Sequence, residues 1–276
     1  NSLLAGTDAV ESSHAVSAWG QALGRMHAAT VGGEIDFLAI LRRDAAGSED
    51  VDILAESAGR AVADAPAQMA RLGVELPDGV RERLTAACEL FVDGDHRAFS
   101  PSDVGPENIL LNDDGVQFMD YEWGGFRDAT LDIAYALVTC GAQLSPVNAG
   151  HRAELEIALV DAWRSEVHAI WPALRRDADC ARKIATARLL WTWLSTTWML
   201  PAQDMPIAAE IHQFNAAGFV VSPAGYTHDW ALHTNDPRVV VARWTDLSAA
   251  AVRGGDHVLA EFAEELGAAL QRTWLT

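Results

Sequence analysis

Apolar residues recur at the three- and four-residue spacing of an amphipathic helix along most of the chain. Asp78 is expected to cap one such helix at its start, and Gly94 is expected to end it. The segments 201–206 and 221–237 are predicted to be loops, the second because it holds Pro, Gly, Asn and Asp in quick succession. The pattern predicts helices over residues 15–28, 51–69, 78–91, 154–171, 178–200, 207–217 and 256–274.

One segment departs from the helical pattern. Residues 109–111 and 116–119 are short apolar runs, and Asn-Asp-Asp-Gly lies between them. Two apolar runs around an Asp-Gly turn predict a β-hairpin. A lone hairpin is not stable by itself, so we expect this one to lie on helices, in a fold that is mainly α with a small β component.

Polar side chains lie at both ends of the predicted hairpin. Asp103 and Asn108 precede its first strand, and Asp120 and Glu122 follow its second strand. Because antiparallel strands joined by a short turn bring these ends together, we expect Asp103, Asn108 and Asp120 to converge. Carboxylate and amide oxygens suit a hard cation such as Mg²⁺. The remaining acid could accept a proton from an attacking hydroxyl.

The stretches SPSDVGPENILL and QFMDYEWGGFRDATLDIAYAL carry these residues. They resemble the catalytic core of the aminoglycoside phosphotransferase and choline kinase family, which is related to the protein kinases. The loop of that family reads H-G-D-x-x-x-x-N, and a following strand ends in D-x-E or D-x-D. WGQALGRMHAAT is similar to the helix that opens the family's C-terminal lobe. The resemblance covers roughly the first half of the chain, and the helical remainder agrees with it.

The resemblance implies a role for each matching residue. Asp103 corresponds to the catalytic base, Asn108 to a metal ligand, and Asp120 to a second metal ligand that bridges the nucleotide phosphates. Glu122 is expected either to assist the metal shell or to act as a cap. The alternative for the first three is ordinary turn chemistry, which Asp and Asn favour. Structural roles at the site are expected for Ser102, Asp128 and Asp132, the two aspartates anchoring the loop and the following helix.

Two features depart from the family pattern. Pro101-Ser102 replaces the family's His-Gly. The chain has one lysine, Lys183, which lies far downstream of the metal motif, and it has neither G-x-G-x-x-G nor a Walker A sequence. We therefore expect a protein-kinase-like C-terminal lobe over 1–276 that lacks the family's N-terminal β-lobe. The predicted parts are leading helices (1–98), the catalytic loop, hairpin and metal motif (99–135) and a helical substrate-side region (136–276).

Composition narrows the range of partners. The formal net charge of −19 argues against nucleic acid and against an anionic membrane surface. It is compatible with a cationic ligand, although acidic surfaces also serve solubility. Three widely spaced cysteines predict neither a disulfide framework nor a zinc site, which favours a reducing cytoplasm. No signal peptide and no apolar run of about 20 residues is visible.

Ten tryptophans are many for this length. Trp191 and Trp198 lie a heptad apart on one predicted helical face. They could line a pocket for a cationic substrate through cation–π contacts. Packing in the core is the alternative, and it is the commoner role of such a stripe.

Two functions remain open. The first is a cytoplasmic phosphotransferase that uses Mg²⁺ and moves the γ-phosphate of ATP or another nucleoside triphosphate to a hydroxyl of a small molecule, of the aminoglycoside, choline or amino-alcohol type. The second is a kinase-fold pseudoenzyme that acts as a binding or partner subunit, for instance in a biosynthetic complex. A glycosidase acid pair formed by Asp120 and Glu122 is disfavoured, because residues two apart on a strand share one face.

Overall fold

The computed structural model describes residues 2–6, 8–44, 52–112, 115–200, 213–214, 220–221 and 232–275. The described chain is mainly α, as predicted. Its helices are α1 (Ser2–Ala5), α2 (Ala9–Thr30), α3 (Glu34–Asp44), α4 (Ile53–Leu72), α5 (Asp78–Glu89), α6 (Thr130–Cys140), α7 (Pro146–Ala149), α8 (Arg152–Val167), α9 (Asp177–Thr197), α10 (Pro237–Arg253) and α11 (His257–Trp274). Its strands are β1 (Arg97–Ser100), β2 (Ile109–Asn112), β3 (Gly115–Phe118), β4 (Gly125–Asp128), β5 (Gln213–Phe214) and β6 (Val220–Val221).

Six of the seven predicted helices are present, with boundaries that differ by a few residues. The helix α5 ends at Glu89, earlier than the predicted stop at Gly94, because the Leu90 carbonyl accepts a hydrogen bond from the Asp128 N–H. The helix α8 ends at Val167, and Pro172 follows within one turn and a half. The pattern did not predict α3, α6 or α10, nor the four-residue helices α1 and α7.

The seventh predicted helix, over 207–217, is wrong where it can be compared. Gln213–Phe214 form β5, which pairs antiparallel with β6, and Phe214 lies opposite Val220. Aromatic and β-branched residues favour such pairing over a helix. The rest of that range, the predicted loop over 201–206 and most of the predicted loop over 221–237 lie outside the described residues. Val221 belongs to β6, and Pro237 already begins α10 with Asp236 as its N-cap.

The predicted hairpin is confirmed. Strand β2 pairs antiparallel with β3, with Ile109 opposite Phe118, and the turn residues 113–114 lie outside the described part. The expectation of a lone hairpin is wrong, because β1 pairs with β4 on either side of it in sequence. Ser100 lies opposite Gly125 in that pair. The whole segment between residues 100 and 125, which contains the predicted catalytic residues, is therefore closed at its base.

The chain divides into two compact units. The first contains the described residues of 1–56 and 89–187, and its largest helix pair is α2 against α8. Gly20 and Gly24 permit this pair to pack closely, because a Cβ on either residue would lie within 3 Å of a backbone carbonyl oxygen of α8. Every residue discussed below as part of the site belongs to this unit.

The second unit contains the described residues of 57–88 and 188–276. Helices α10 and α11 pack together in it, and Trp244 meets Phe262 edge to face. The indole N–H of Trp244 donates to Thr196 Oγ1 at 2.8 Å. Among the helices of the described residues, none combines the length and the hydropathy required to cross a lipid bilayer.

Candidate active site

Asp103 lies in a buried loop between β1 and β2 and is held by groups on both sides. Its side chain accepts a hydrogen bond from the hydroxyl of Tyr135, with 2.6 Å between Tyr135 Oη and Asp103 Oδ1. Its main-chain carbonyl accepts from Asn108 Nδ2 at 3.1 Å. Only 7% of Asp103 is exposed to solvent. This carboxylate therefore has a fixed position, which a general base requires.

Asn108 joins Asp103 to the far strand of the hairpin. Because a carbonyl oxygen can only accept, the amide group of Asn108 must face Asp103 with its nitrogen, and its Oδ1 faces away. The main-chain carbonyl of Asn108 accepts from the Met119 N–H at 2.9 Å. Asp120 is the next residue along the chain. Asp103 and Asn108 are therefore in direct contact, and Asp120 follows a residue that is bonded to Asn108.

Asp120 and Glu122 are both exposed in the loop after β3. The backbone brings Asp120 to the Asn108 end of the hairpin, as antiparallel pairing predicts. The roles predicted for these two carboxylates and for the Asn108 oxygen as metal ligands stay predictions.

The backbone is strained at two positions of this site. Ser102 has a φ of +69° and Asp120 has a φ of +60°, and within the described part they are the non-glycine residues with positive φ. This conformation costs a side-chain-bearing residue of the order of 1 kcal/mol or more. Ser102 occupies the position where the resembling family has Gly, which adopts such a φ freely. Strain of this kind is concentrated at functional sites.

A buried polar network links the loop to the helix pair of the first unit. His27 on α2 is fully buried, and its Nε2 lies 2.9 Å from Asp132 Oδ2. The indole N–H of Trp163 on α8 donates to Nδ1 of the same imidazole at 3.0 Å. One carboxylate oxygen of Asp132 is thus hydrogen-bonded to the imidazole of His27. Sequence patterns did not indicate this contact, because the partners lie 105 and 136 residues apart.

The other oxygen of Asp132 holds the loop that contains Asp103. Ser100 Oγ donates to Asp132 Oδ1 at 2.7 Å, and the hydroxyls of Ser100 and Ser102 are 3.1 Å apart. The guanidinium of Arg127 donates to Ser102 Oγ. Through these bonds the loop is fixed immediately before Asp103, where the resembling family has His-Gly and this chain has Pro101-Ser102.

Asp128 joins the segment before β1 to the start of α6. Its Oδ2 accepts from the main-chain N–H of His96 at 3.0 Å and lies 3.1 Å from the His96 ring. Its Oδ1 accepts from the N–H of Thr130 at 2.9 Å and from the Thr130 hydroxyl at 2.6 Å. Burial alone would raise the pKa of Asp128, but these hydrogen bonds outweigh it and hold the pKa below the usual range of an aspartate.

The two tryptophans predicted for a substrate pocket are deeply buried. Trp191 is 1% exposed and Trp198 is 4% exposed, and both belong to the second unit. The ring of Trp198 stacks on His233 with 3.6 Å between the ring centroids. The contact and burial are those of packed core residues, and the pocket role stays a prediction.

The donor set at the hairpin is of the kind that Mg²⁺ accepts. It consists of the Asn108 amide oxygen and the Asp120 carboxylate, and Mg²⁺ commonly takes one or two carboxylates and completes its shell with water and substrate phosphates. In the described part of the chain, no group of three or more His, Cys, Asp and Glu side chains is arranged to hold a metal ion. The predicted site does not require such a group, because one of its protein ligands is an amide.

Two sequence comparisons find no relative of this chain. No protein-family model matches the chain, and no curated protein is significantly similar to it in sequence. The resemblance to a family therefore rests on the sequence motifs alone.

Proposed function

We propose that this chain is a phosphotransferase, which moves the γ-phosphate of ATP or another nucleoside triphosphate to a hydroxyl group of a small molecule. The observation that carries the proposal is the hydrogen-bonded link from Asp103 through Asn108 to the strand end that precedes Asp120. An acid and an amide in contact, next to a strained aspartate, suit a reaction that needs one base and one cation site.

The residues act in distinct ways in this proposal. Asp103 accepts the proton of the attacking hydroxyl, and the hydroxyl of Tyr135 keeps the carboxylate in one orientation. Asn108 and Asp120 would hold Mg²⁺ through oxygen atoms. When bound, the cation supplies positive charge against the phosphate groups of the nucleotide. The positive φ of Asp120 is a cost of the kind that functional sites carry.

The replacement of the family's His-Gly is compatible with this function. Ser102 adopts a positive φ, which a Gly at this position would adopt freely, and Arg127 and Ser100 hold its hydroxyl. The loop before Asp103 is thus fixed by a serine and an arginine.

A second function is favoured by one observation. Lys183, the chain's one lysine, donates to Asp95 at 2.8 Å, and this hydrogen bond lowers the pKa of Asp95 below its usual range. This ion pair engages the one lysine of this sequence, which favours a kinase-like protein that binds a partner without transferring phosphate. The two functions differ in whether the chain binds nucleotide with Mg²⁺.

Transfer of radiolabelled γ-phosphate tests the proposal. The full chain is incubated with labelled ATP, Mg²⁺ and aminoglycosides, choline or other amino alcohols. We expect Asp103→Ala to lower the rate of transfer by about 100-fold or more, because the base is lost.

Asp95→Asn is the matched control. It also removes a carboxylate, from an exposed site eight residues earlier in the chain, and it should leave the rate nearly unchanged. Equal rates for the wild type and Asp103→Ala would exclude the role of Asp103. If calorimetry detects no binding of ATP with Mg²⁺ and no acceptor is phosphorylated, the binding-subunit function is favoured.

A further inference from the structure

Arg127 has one of the most completely enclosed charged side chains of the first unit. It is 5% exposed, and its Nε donates to Asp52 Oδ2 at 2.9 Å. Asp52 lies directly before α4, and its Oδ1 also accepts from the N–H of Leu54 at 2.9 Å at the start of that helix. One carboxylate therefore caps α4 and balances the charge of the guanidinium.

The same guanidinium nitrogen of Arg127 contacts two different loops. Its Nη1 donates to Ser102 Oγ in the loop before β2, and it donates to the Trp123 carbonyl at 2.8 Å in the loop after β3. Ser102 is the neighbour of Asp103, and Trp123 follows Asp120 and Glu122. One rigid planar group therefore connects the loop that contains Asp103 to the loop that contains Asp120 and Glu122.

The surroundings of the guanidinium leave it little freedom to move. A Cβ on Gly125 would lie 3.2 Å from Arg127 Cζ, so the absence of a side chain there gives the guanidinium its space. On another side, Cζ lies 5.9 Å from the centre of the Phe91 ring, within the range of a cation–π contact. A side chain restrained in this way transmits the position of one loop to the other.

We propose that Arg127 is a positioning residue, which couples the loop of Asp103 to the loop of Asp120 and sets the distance between the base and the metal ligands. This inference rests on the proposed phosphotransferase function. Arg127 does not contact substrate, and it acts through Ser102 and the Trp123 carbonyl. Its removal should therefore affect the chemical step and the response to Mg²⁺ more than the binding of the acceptor.

Arg127→Met and Arg127→Lys test the inference through kinetics. We expect Arg127→Met to lower kcat by about 10- to 100-fold, because small displacements of reacting groups have effects of this size. The KM for the acceptor should change by less than about threefold. The Mg²⁺ concentration for half-maximal rate should rise, and Arg127→Lys, which keeps the charge, should recover part of kcat.

A double-mutant cycle with Ser102→Ala shows whether Arg127 acts through the loop. If it does, Ser102→Ala lowers kcat in the wild type and has a much smaller effect in Arg127→Met. The control is Arg97→Met. Arg97 also bonds a carboxylate, Glu34 at 3.0 Å, and a main-chain carbonyl, Phe126 at 2.8 Å, but neither bond reaches the two loops. Additive effects, or an equal loss of kcat in Arg97→Met, would overturn the inference.

Hydrogen exchange measures the coupling without activity. In Arg127→Met, amide exchange should become faster in both segments 101–108 and 119–124, and in Arg97→Met it should remain as in the wild type there. Faster exchange in one segment alone, or in neither, contradicts the coupling. The two proposals can fail separately. If the wild type transfers no phosphate but Arg127→Met exchanges faster in both segments, the proposed function is excluded and the connection between the loops remains.

Discussion

Asp128 shows how much one residue can depend on its neighbours. Its two oxygens receive hydrogen bonds from His96 and Thr130, and Gly94 packs so closely that a Cβ there would lie 2.3 Å from Asp128 Cβ. Every donor around it favours a carboxylate that is ionised. An amide in the same place would turn an NH₂ group towards at least one donor, which would leave buried groups without partners.

The lowered pKa of Asp128 predicts a pH dependence of stability. Since the ionised form is favoured in the folded state, its contribution is present at neutral pH and is lost as the pH falls through the folded-state pKa. We expect Asp128→Asn to lower the free energy of unfolding by about 1–3 kcal/mol at pH 7. This difference should start to shrink below about pH 4, the usual pKa of an aspartate in the unfolded chain, and shrink further as the pH falls through the lowered pKa of Asp128 in the folded state.

Urea unfolding of the wild type and Asp128→Asn at several pH values measures this difference. Asp36→Asn, on the exposed surface of α3, is the control and should have little effect throughout the range. A difference between wild type and Asp128→Asn that stays constant down to pH 3 would contradict the assignment of the lowered pKa.

At the scale of elements, the pair α2 and α8 determines where the network of the site begins. Gly20 and Gly24 lie four residues apart on one face of α2, and both meet the backbone of α8. The close approach of the two helices allows Trp163 to reach His27. The two glycines thus act on the site indirectly, through the spacing of the helices.

Gly24→Ala should separate this pair. The new Cβ would lie 2.7 Å from the Trp163 carbonyl oxygen and 2.8 Å from Glu166 Cβ, so backbone as well as side chain must shift. We expect a loss of about 1–3 kcal/mol, seen as a lower thermal midpoint. Gly59→Ala on α4 is the control, because no atom beyond the backbone of its own helix lies within 4 Å of its Cβ position. It should raise the midpoint slightly, since Ala favours a helix over Gly by about 1 kcal/mol. Equal effects of the two substitutions would contradict the close packing.

The elements differ in how far the sequence predicts them. The hairpin was predictable because its turn and its two apolar runs are local, and α11 was predictable because its apolar face is regular. The pair of β1 and β4 was not, since each strand has four residues and its partner lies more than twenty residues away. Helix α10 was missed because the loop composition before Pro237 obscured its start, although Asp236 followed by Pro is a usual helix beginning.

The same distinction holds for the site. The chain positions of Asp103, Asn108 and Asp120 follow from a motif and a hairpin, both of which are local. The contacts that hold them involve Tyr135, 32 residues from Asp103, and Arg127, 75 residues from Asp52. Such contacts depend on tertiary packing, which periodicity does not encode. The sequence offered one hint of these contacts, which is that Arg127 directly precedes Asp128 and closely follows two consecutive glycines.

For the whole molecule, charge is the dominant property. The chain carries 39 acidic residues against 20 Lys and Arg, for a formal net charge of −19. Like charges at this density repel one another in the compact state, and salt screens that repulsion. The stability of the folded chain should therefore depend on ionic strength even where no specific site binds an ion.

The thermal midpoint should rise by several degrees between about 10 mM and 300 mM NaCl, because the Debye length falls from about 30 Å to less than 10 Å. Scanning calorimetry measures this shift. MgCl₂ at matched ionic strength is the comparison, and a larger shift with Mg²⁺ than with Na⁺ would indicate binding in addition to screening. A midpoint that is unchanged or lower in salt would contradict the dominance of repulsion.

The hydrogen bonds of Ser100 and Ser102 have a further consequence, because the donor and the acceptor in each of them can be assigned. A guanidinium can only donate, and a carboxylate can only accept. Ser100 has one hydroxyl hydrogen and gives it to Asp132. The hydrogen between the two serines must then come from Ser102, whose oxygen accepts from Arg127.

The donors and acceptors around His27 can be assigned in the same way. The indole of Trp163 can only donate, so Nδ1 of His27 accepts and its Nε2 carries the hydrogen that points to Asp132. The hydrogen bonds from the serines and from His27 therefore both run towards the carboxylate of Asp132. The network has a single arrangement of hydrogens, whereas a ring of hydroxyls would have several. Ser102 cannot offer its hydrogen to a substrate without giving up its bond to Ser100, which favours a role as a fixed support over that of a proton carrier.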